Sequence, residues 1–180
     1  MNFSLPDTVT VCGTEYPVRT DFRVILEIFV MLDDPDLTDA DKTEALLRMF
    51  YKERLSDNEA AIRAFSEFVD PRSTAKATAQ RNSRLIDWSQ DFDLMVAPIN
   101  HILGFECRSA HYLHWQTFLS AYLEIPPESV FARVLRIREK LRTGKKLEKY
   151  ERIWYRRNVD LVNLKPKYSK TEEAILKEWT

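Results

Sequence analysis

The 180-residue chain has 44% hydrophobic residues and only three glycines, enough apolar material for a real core in one domain of ordinary size. Its 27 Lys and Arg nearly balance 28 Asp and Glu, leaving a net charge of −1, which excludes a polybasic nucleic-acid binder and an acidic disordered tail as the class of the whole chain. The run Val24 to Leu32 is too short to span a bilayer, the opening MNFSLPDTVTV has no basic leader so secretion is not expected, and two cysteines make no disulfide framework and suit a reducing cytosol.

Residues 1–20 read as a β-hairpin. Thr8 to Cys12 and Glu15 to Arg19 flank a turn at Gly13-Thr14, and Pro17, which cannot donate to a ladder, marks an edge strand. Residues 21–69 form an acidic helical segment. Thr20 or Asp21 caps a first helix that reaches Leu32, with Val24, Ile25, Ile28, Phe29 and Leu32 on its apolar stripe. Thr38 and Asp41 open a second, with Ala45, Leu46, Met49 and Phe50 inward. Ser56 and Glu59 have the spacing of a capping box for a third, with Ile62, Phe65 and Val69 inward and Pro71 as its stop. Residues 70–84 carry no apolar stripe and read as a flexible linker.

An aromatic and basic core segment follows over residues 85–160. Trp88, Phe92, Met95, Ile99 and Ile102 line one helix that starts near Asp87, ends at Gly104 and kinks or breaks at Pro98. Tyr112, Trp115, Leu119 and Tyr122 give a second stripe, closed by Pro126-Pro127. In the next helix Val130, Val134, Ile137 and Leu141 face in, while Arg133, Arg136 and Lys140 face out, and Gly144 ends it. Leu147 to Asn158 forms a further helix, and residues 161–180 a tail with a short helix from Thr171 to Trp179. The fold class is mainly α, a helical bundle-like single domain over residues 1–180 with a small N-terminal β-hairpin.

Charge is balanced overall but not locally. Residues 1–70 hold seven basic and fifteen acidic side chains, a net of about −8, and residues 133–157 hold eleven basic and three acidic, about +8. A chain polarised this way can pair with itself or with a copy. The basic face of Arg133, Arg136, Lys140, Lys145, Lys146, Arg156 and Arg157, with Tyr150, Trp154 and Tyr155 among it, is the alternative site, a nucleic-acid surface. His101, Cys107, His111 and His114 supply N and S ligand types, and His111 and His114 stand three apart as paired ligands on a helix do. One Cys, no CxxC and no HExxH make zinc the lesser reading, so no metal and no cofactor are expected. Three glycines leave no phosphate-binding loop, and no nucleophile motif is present, so no enzyme is expected. Amphipathic helices rich in aromatics and Met instead suit an interaction protein with a groove for a partner helix.

The segments WSQDFDLMVAPINHILGFECR, YLHWQTFLSAYLEI, FARVLRIREKLRTGKKL and EKYERIWYRRN resemble the family called bacteriophage gene product fifteen. The similarity is best from Asp87 to Asp160, and its most distinctive element is Leu113, His114 and Trp115 followed by Phe118. The resemblance implies a phage or prophage protein without catalytic activity, encoded in the tail-morphogenesis region. By that position it is expected to be a tail assembly chaperone in the host bacterial cytoplasm, binding phage tail proteins, chiefly the tape-measure protein, with self-association and without membrane or nucleic acid. The expected partner-binding residues are Trp88, Phe92, Met95, His114, Trp115, Phe118 and Tyr122.

Overall fold

The structure, a computed structural model, describes residues 4–70 and 85–178. All but Asp70 of the expected linker lies outside the described residues, as does the Pro71 stop. In chain order the described elements are β1 (Thr8–Val11), β2 (Thr14–Pro17), α1 (Phe22–Leu32), α2 (Asp39–Phe50), α3 (Asn58–Val69), α4 (Trp88–Leu103), α5 (Trp115–Leu123), α6 (Val130–Arg142), α7 (Lys149–Arg157), α8 (Val159–Val162) and α9 (Lys170–Glu178). The fold is mainly α with an N-terminal hairpin. Two compact units are present. The first is built from the described parts of Met1–Ala79, Tyr112–Thr117 and Pro166–Thr180, the second from those of Gln80–His111 and Phe118–Lys165, so the division falls inside α5.

In the first unit β1 and β2 pair antiparallel from Thr8 opposite Pro17 to Val11 opposite Thr14. The turn is Cys12-Gly13 rather than Gly13-Thr14. Both residues take positive φ, +50° and +81°, as a two-residue hairpin loop with the twist of its strands requires. Val18 then bridges to Tyr51, and Arg19 N donates to Phe50 O at 2.8 Å, tying the hairpin to the end of α2. Asp21 caps α1 by accepting from Arg23 N, and Thr38 and Asp41 form a reciprocal capping box on α2. The cap of α3 is Asp57, not Ser56, and its buried face is Ala61, Ala64, Phe65 and Phe68, so the expected Ile62/Val69 stripe is rotated by one position. Among these helices the core is a run of edge-on rings. Tyr16 meets Tyr51, Phe50 meets Tyr51 and Phe65, and Phe29 meets Phe65 and Trp115, with centroids 5.0 to 6.5 Å apart.

The segment Tyr112–Thr117 joins this unit through the backbone. Phe22 N donates to Leu113 O at 2.9 Å and Trp115 N to Thr20 O at 2.6 Å. The indole N–H of Trp115 donates to Val69 O at 3.0 Å, which satisfies the polar edge of a fully buried ring. Tyr112, expected on the α5 stripe, precedes the helix and is exposed, its hydroxyl hydrogen-bonded to Thr20 Oγ1 at 2.6 Å.

In the second unit α4 runs unbroken through Pro98. Asp87 caps it, Gly104 ends it at φ +76°, and Ile102, expected inside, is exposed. The buried face of α4 is Asp91, Met95, Val96 and Ile99. In α6 Val134 and Ile137 are buried as expected, but Val130 and Leu141 are exposed and their places go to Phe131 and Arg138. Val134, Ile137 and Val162 form the apolar centre, with Leu94, Leu147, Trp154 and Tyr155 packed around it. The expected Leu147–Asn158 helix is shorter, and a separate turn of helix, α8, follows Asn158. The terminal helix spans Lys170–Glu178, and Lys170 N donates to Asp36 Oδ1 within the first unit.

Candidate functional site

The expected metal ligands do not form a site. His111 and His114 precede α5 rather than share a helix, so their three-residue spacing carries no common facing. His101 and His111 are exposed and Cys107 is buried, its thiol pushed up by burial. Both ring nitrogens of His114 are engaged. Nδ1 accepts from Gln116 N at 3.0 Å at the start of α5, which puts the proton on Nε2, and Nε2 donates to Pro6 O at 2.9 Å. Among the described residues no three His, Cys, Asp or Glu side chains come together to hold a metal.

The expected partner-binding set is largely interior. Met95, Trp115 and Phe118 are fully buried and His114 is buried, so they build the units. Trp88, Phe92 and Tyr122 are half-buried, with the Trp88 and Tyr122 rings 5.7 Å apart.

The strongest polar feature is one the sequence reading missed. Asp91 is fully buried and Arg138 nearly so. Arg138 Nη1 and Nη2 donate to the two Asp91 carboxylate oxygens at 2.6 and 2.9 Å. Its other three N–H groups donate to Val162 O, Leu85 O and Leu161 O at 2.6, 2.8 and 2.9 Å, so all five are used. Asp87 N donates to Asp91 as well, at 2.9 Å. The cluster locks α4, α6 and α8 together and is structural, because every N–H of the guanidinium is already bonded inside it. The signal was present: Asp91 lies four residues before Met95, and Arg138 four after Val134, so both charges sit on apolar stripes.

The expected basic face is divided by the same packing. Lys140 is committed to Glu151, its Nζ 2.8 and 2.7 Å from the two carboxylate oxygens. Burial works against the charged form of Glu151. The hydrogen bonds from Lys140 and from Glu148 N, with the charges of Lys140 and Arg136, outweigh it and hold the carboxyl below its ordinary value. Arg136 donates to Pro127 O. Arg133 lays its guanidinium over the Trp154 ring, 5.4 Å from the centroid. Lys145, Lys146, Arg156 and Arg157 remain exposed.

What is left outward on α7 is an aromatic and basic groove. Arg133, Tyr150, Glu151, Ile153, Trp154 and Arg157 line a volume of about 350 Å³. Tyr150 is 63% exposed and Ile153 46%. Residues 150, 153, 154 and 157 recur at the spacing of one helix face. A larger groove of about 950 Å³ lies in the first unit between α2 and the turn that follows it, where Arg19 Nη1 caps the end of α2 through Arg48 O, Met49 O and Tyr51 O. Of these two grooves, the one on α7 joins exposed apolar side chains to cations and is the candidate contact surface. Among the described residues no helix is long and apolar enough to cross a membrane.

A family model described as Bacteriophage Gp15 protein matches residues 1–164. No curated protein and no solved structure matches the chain.

Proposed function

We propose that this chain, which belongs to the bacteriophage Gp15 protein family, is a non-enzymatic tail morphogenesis protein. In this reading it is a tail assembly chaperone that binds the tape-measure protein in the host bacterial cytoplasm. The observation that carries it is the exposed Tyr150 and Ile153 on a helix whose opposite side is packed into the second unit. A chaperone needs such an apolar surface, ringed by charge that keeps it dissolved, and it needs release rather than turnover. The buried His114, Asp87 and Asp91 are held in structural hydrogen bonds, which fits a protein that binds without reacting.

Co-expression with the phage's tape-measure protein tests the reading. The expected result is a client that stays in the soluble fraction and co-purifies. A client equally insoluble with and without this chain overturns it. The second reading, a nucleic-acid surface, draws support from exposed Lys145, Lys146, Arg156 and Arg157 beside Tyr150. Oligonucleotide binding that weakens steeply with salt would move the assignment there.

A further inference from the structure

We propose that the α6–α7 groove is a receptor for an acidic amphipathic helix. This deepens the chaperone reading and rests on it, because it names the kind of client segment that the groove accepts. Charge carries the first half of the argument. Lys149, Arg152, Arg156 and Arg157 are all exposed on α7, whereas its acidic residue, Glu151, is buried and neutralised by Lys140 at 2.7 Å. Glu151 meets the groove only as a buried carboxylate already paired with Lys140, so the exposed charges of α7 are all cationic. A ligand that covers this face must bring carboxylates or bury uncompensated charge.

Shape carries the second half. Tyr150, Ile153 and Trp154 give an apolar floor at the i, i+3, i+4 spacing, with Arg133 at one wall and Arg157 one turn further on. A partner helix meets such a floor with its own apolar residues at the same spacing and places acids on both flanks. Nucleic acid fits less well. Base stacking needs open ring faces in succession, and Arg133 already covers one face of Trp154. Ile153, at the centre, is aliphatic and offers a base nothing to stack on.

The test uses the full chain and three fluorescent probes: a synthetic amphipathic helix with Leu on one face and Glu on its flanks, the same peptide with Lys for Glu, and a single-stranded oligonucleotide. The expected result is binding of the acidic peptide at least about tenfold tighter than of the basic one, weakened by salt. The double variant Tyr150→Ala/Ile153→Ala should weaken it by about tenfold or more with unchanged melting, since both side chains face outward. Should that variant fold poorly, Arg157→Glu, a change at an exposed position, should shift preference toward the basic peptide. Equal binding of the two peptides, variants that bind as the parent does, or an oligonucleotide that displaces the acidic peptide each overturn the proposal. Failure here is separable from failure of the chaperone reading. A client kept soluble by Tyr150→Ala/Ile153→Ala as well as by the parent sinks the groove and spares the chaperone. Acidic-peptide binding without client solubilisation does the reverse.

Discussion

Arg138 holds its place by geometry as much as by charge. Five N–H groups in a rigid fork meet one carboxylate and three carbonyls, and a lysine ammonium offers three donors from a single point. Arg138→Lys is therefore expected to behave as a broken pair, costing about 3–5 kcal/mol, because Asp91 stays buried with its charge poorly met. Arg138→Met with Asp91→Leu should recover much of that loss in urea unfolding, since an apolar pair removes the unpaired charge altogether. A lysine variant as stable as the parent would contradict this account. Glu106 makes a second prediction. Hydrogen bonds from the Arg108 side chain and backbone N–H hold its carboxyl down at about 2, against an ordinary 4.5, with the Arg108 charge and Asn100 adding to them. A folded value below the unfolded one means the contribution is complete above pH 4.5 and is lost as pH falls toward 2. The melting temperature of the parent should thus drop more steeply between pH 5 and 2 than that of Glu106→Gln, which lacks the titrating group.

Among the elements, α4 ends for a reason that can be measured. Gly104 sits at φ +76° and a Cβ added there would meet nothing within 4 Å, so substitution strains the backbone without a clash. Gly104→Ala should cost about 1 kcal/mol and Gly104→Asn less, read from denaturant midpoints. This glycine was legible from the sequence, as were the start of α2 at Thr38 and the start of α4 near Asp87, while Asp21 was one of two candidates with Thr20, because each is a local signal that acts on its own turn. The α3 face was misread by one position, since two of its buried residues, Ala61 and Ala64, give a weaker apolar signal than Ile62 and Val69 beside them. The exposure of Val130, Leu141 and Ile102 was not legible either. Periodicity names a stripe, but how far a neighbouring helix extends along it is a tertiary fact. The candidate site was half legible. Its residues lay within the basic run, yet the pairing of Lys140 with Glu151 and the stacking of Arg133 on Trp154 depend on where α6 and α7 meet. The histidines misled because an i, i+3 spacing means a shared face only inside a helix.

For the whole molecule, a net charge of −1 and a pI near 6.3 give copies little mutual repulsion. If the acidic residues 1–70 and the basic residues 133–157 pair between copies, association is expected at low ionic strength. The apparent mass in sedimentation should rise as salt is lowered toward about 10 mM, where the screening length reaches about 30 Å, and return to the monomer near 0.5 M. A mass indifferent to salt would show that these charges are satisfied within one chain. The placement of the indoles has a further use. Trp115 is sealed in the first unit, ringed by Phe29 and bonded to Val69 O, while Trp154 forms the floor of the α7 groove beneath a guanidinium. A ligand entering the groove changes the surroundings of Trp154, so native emission, with Trp154→Phe as the blank for the other three indoles, can report occupancy without any attached label.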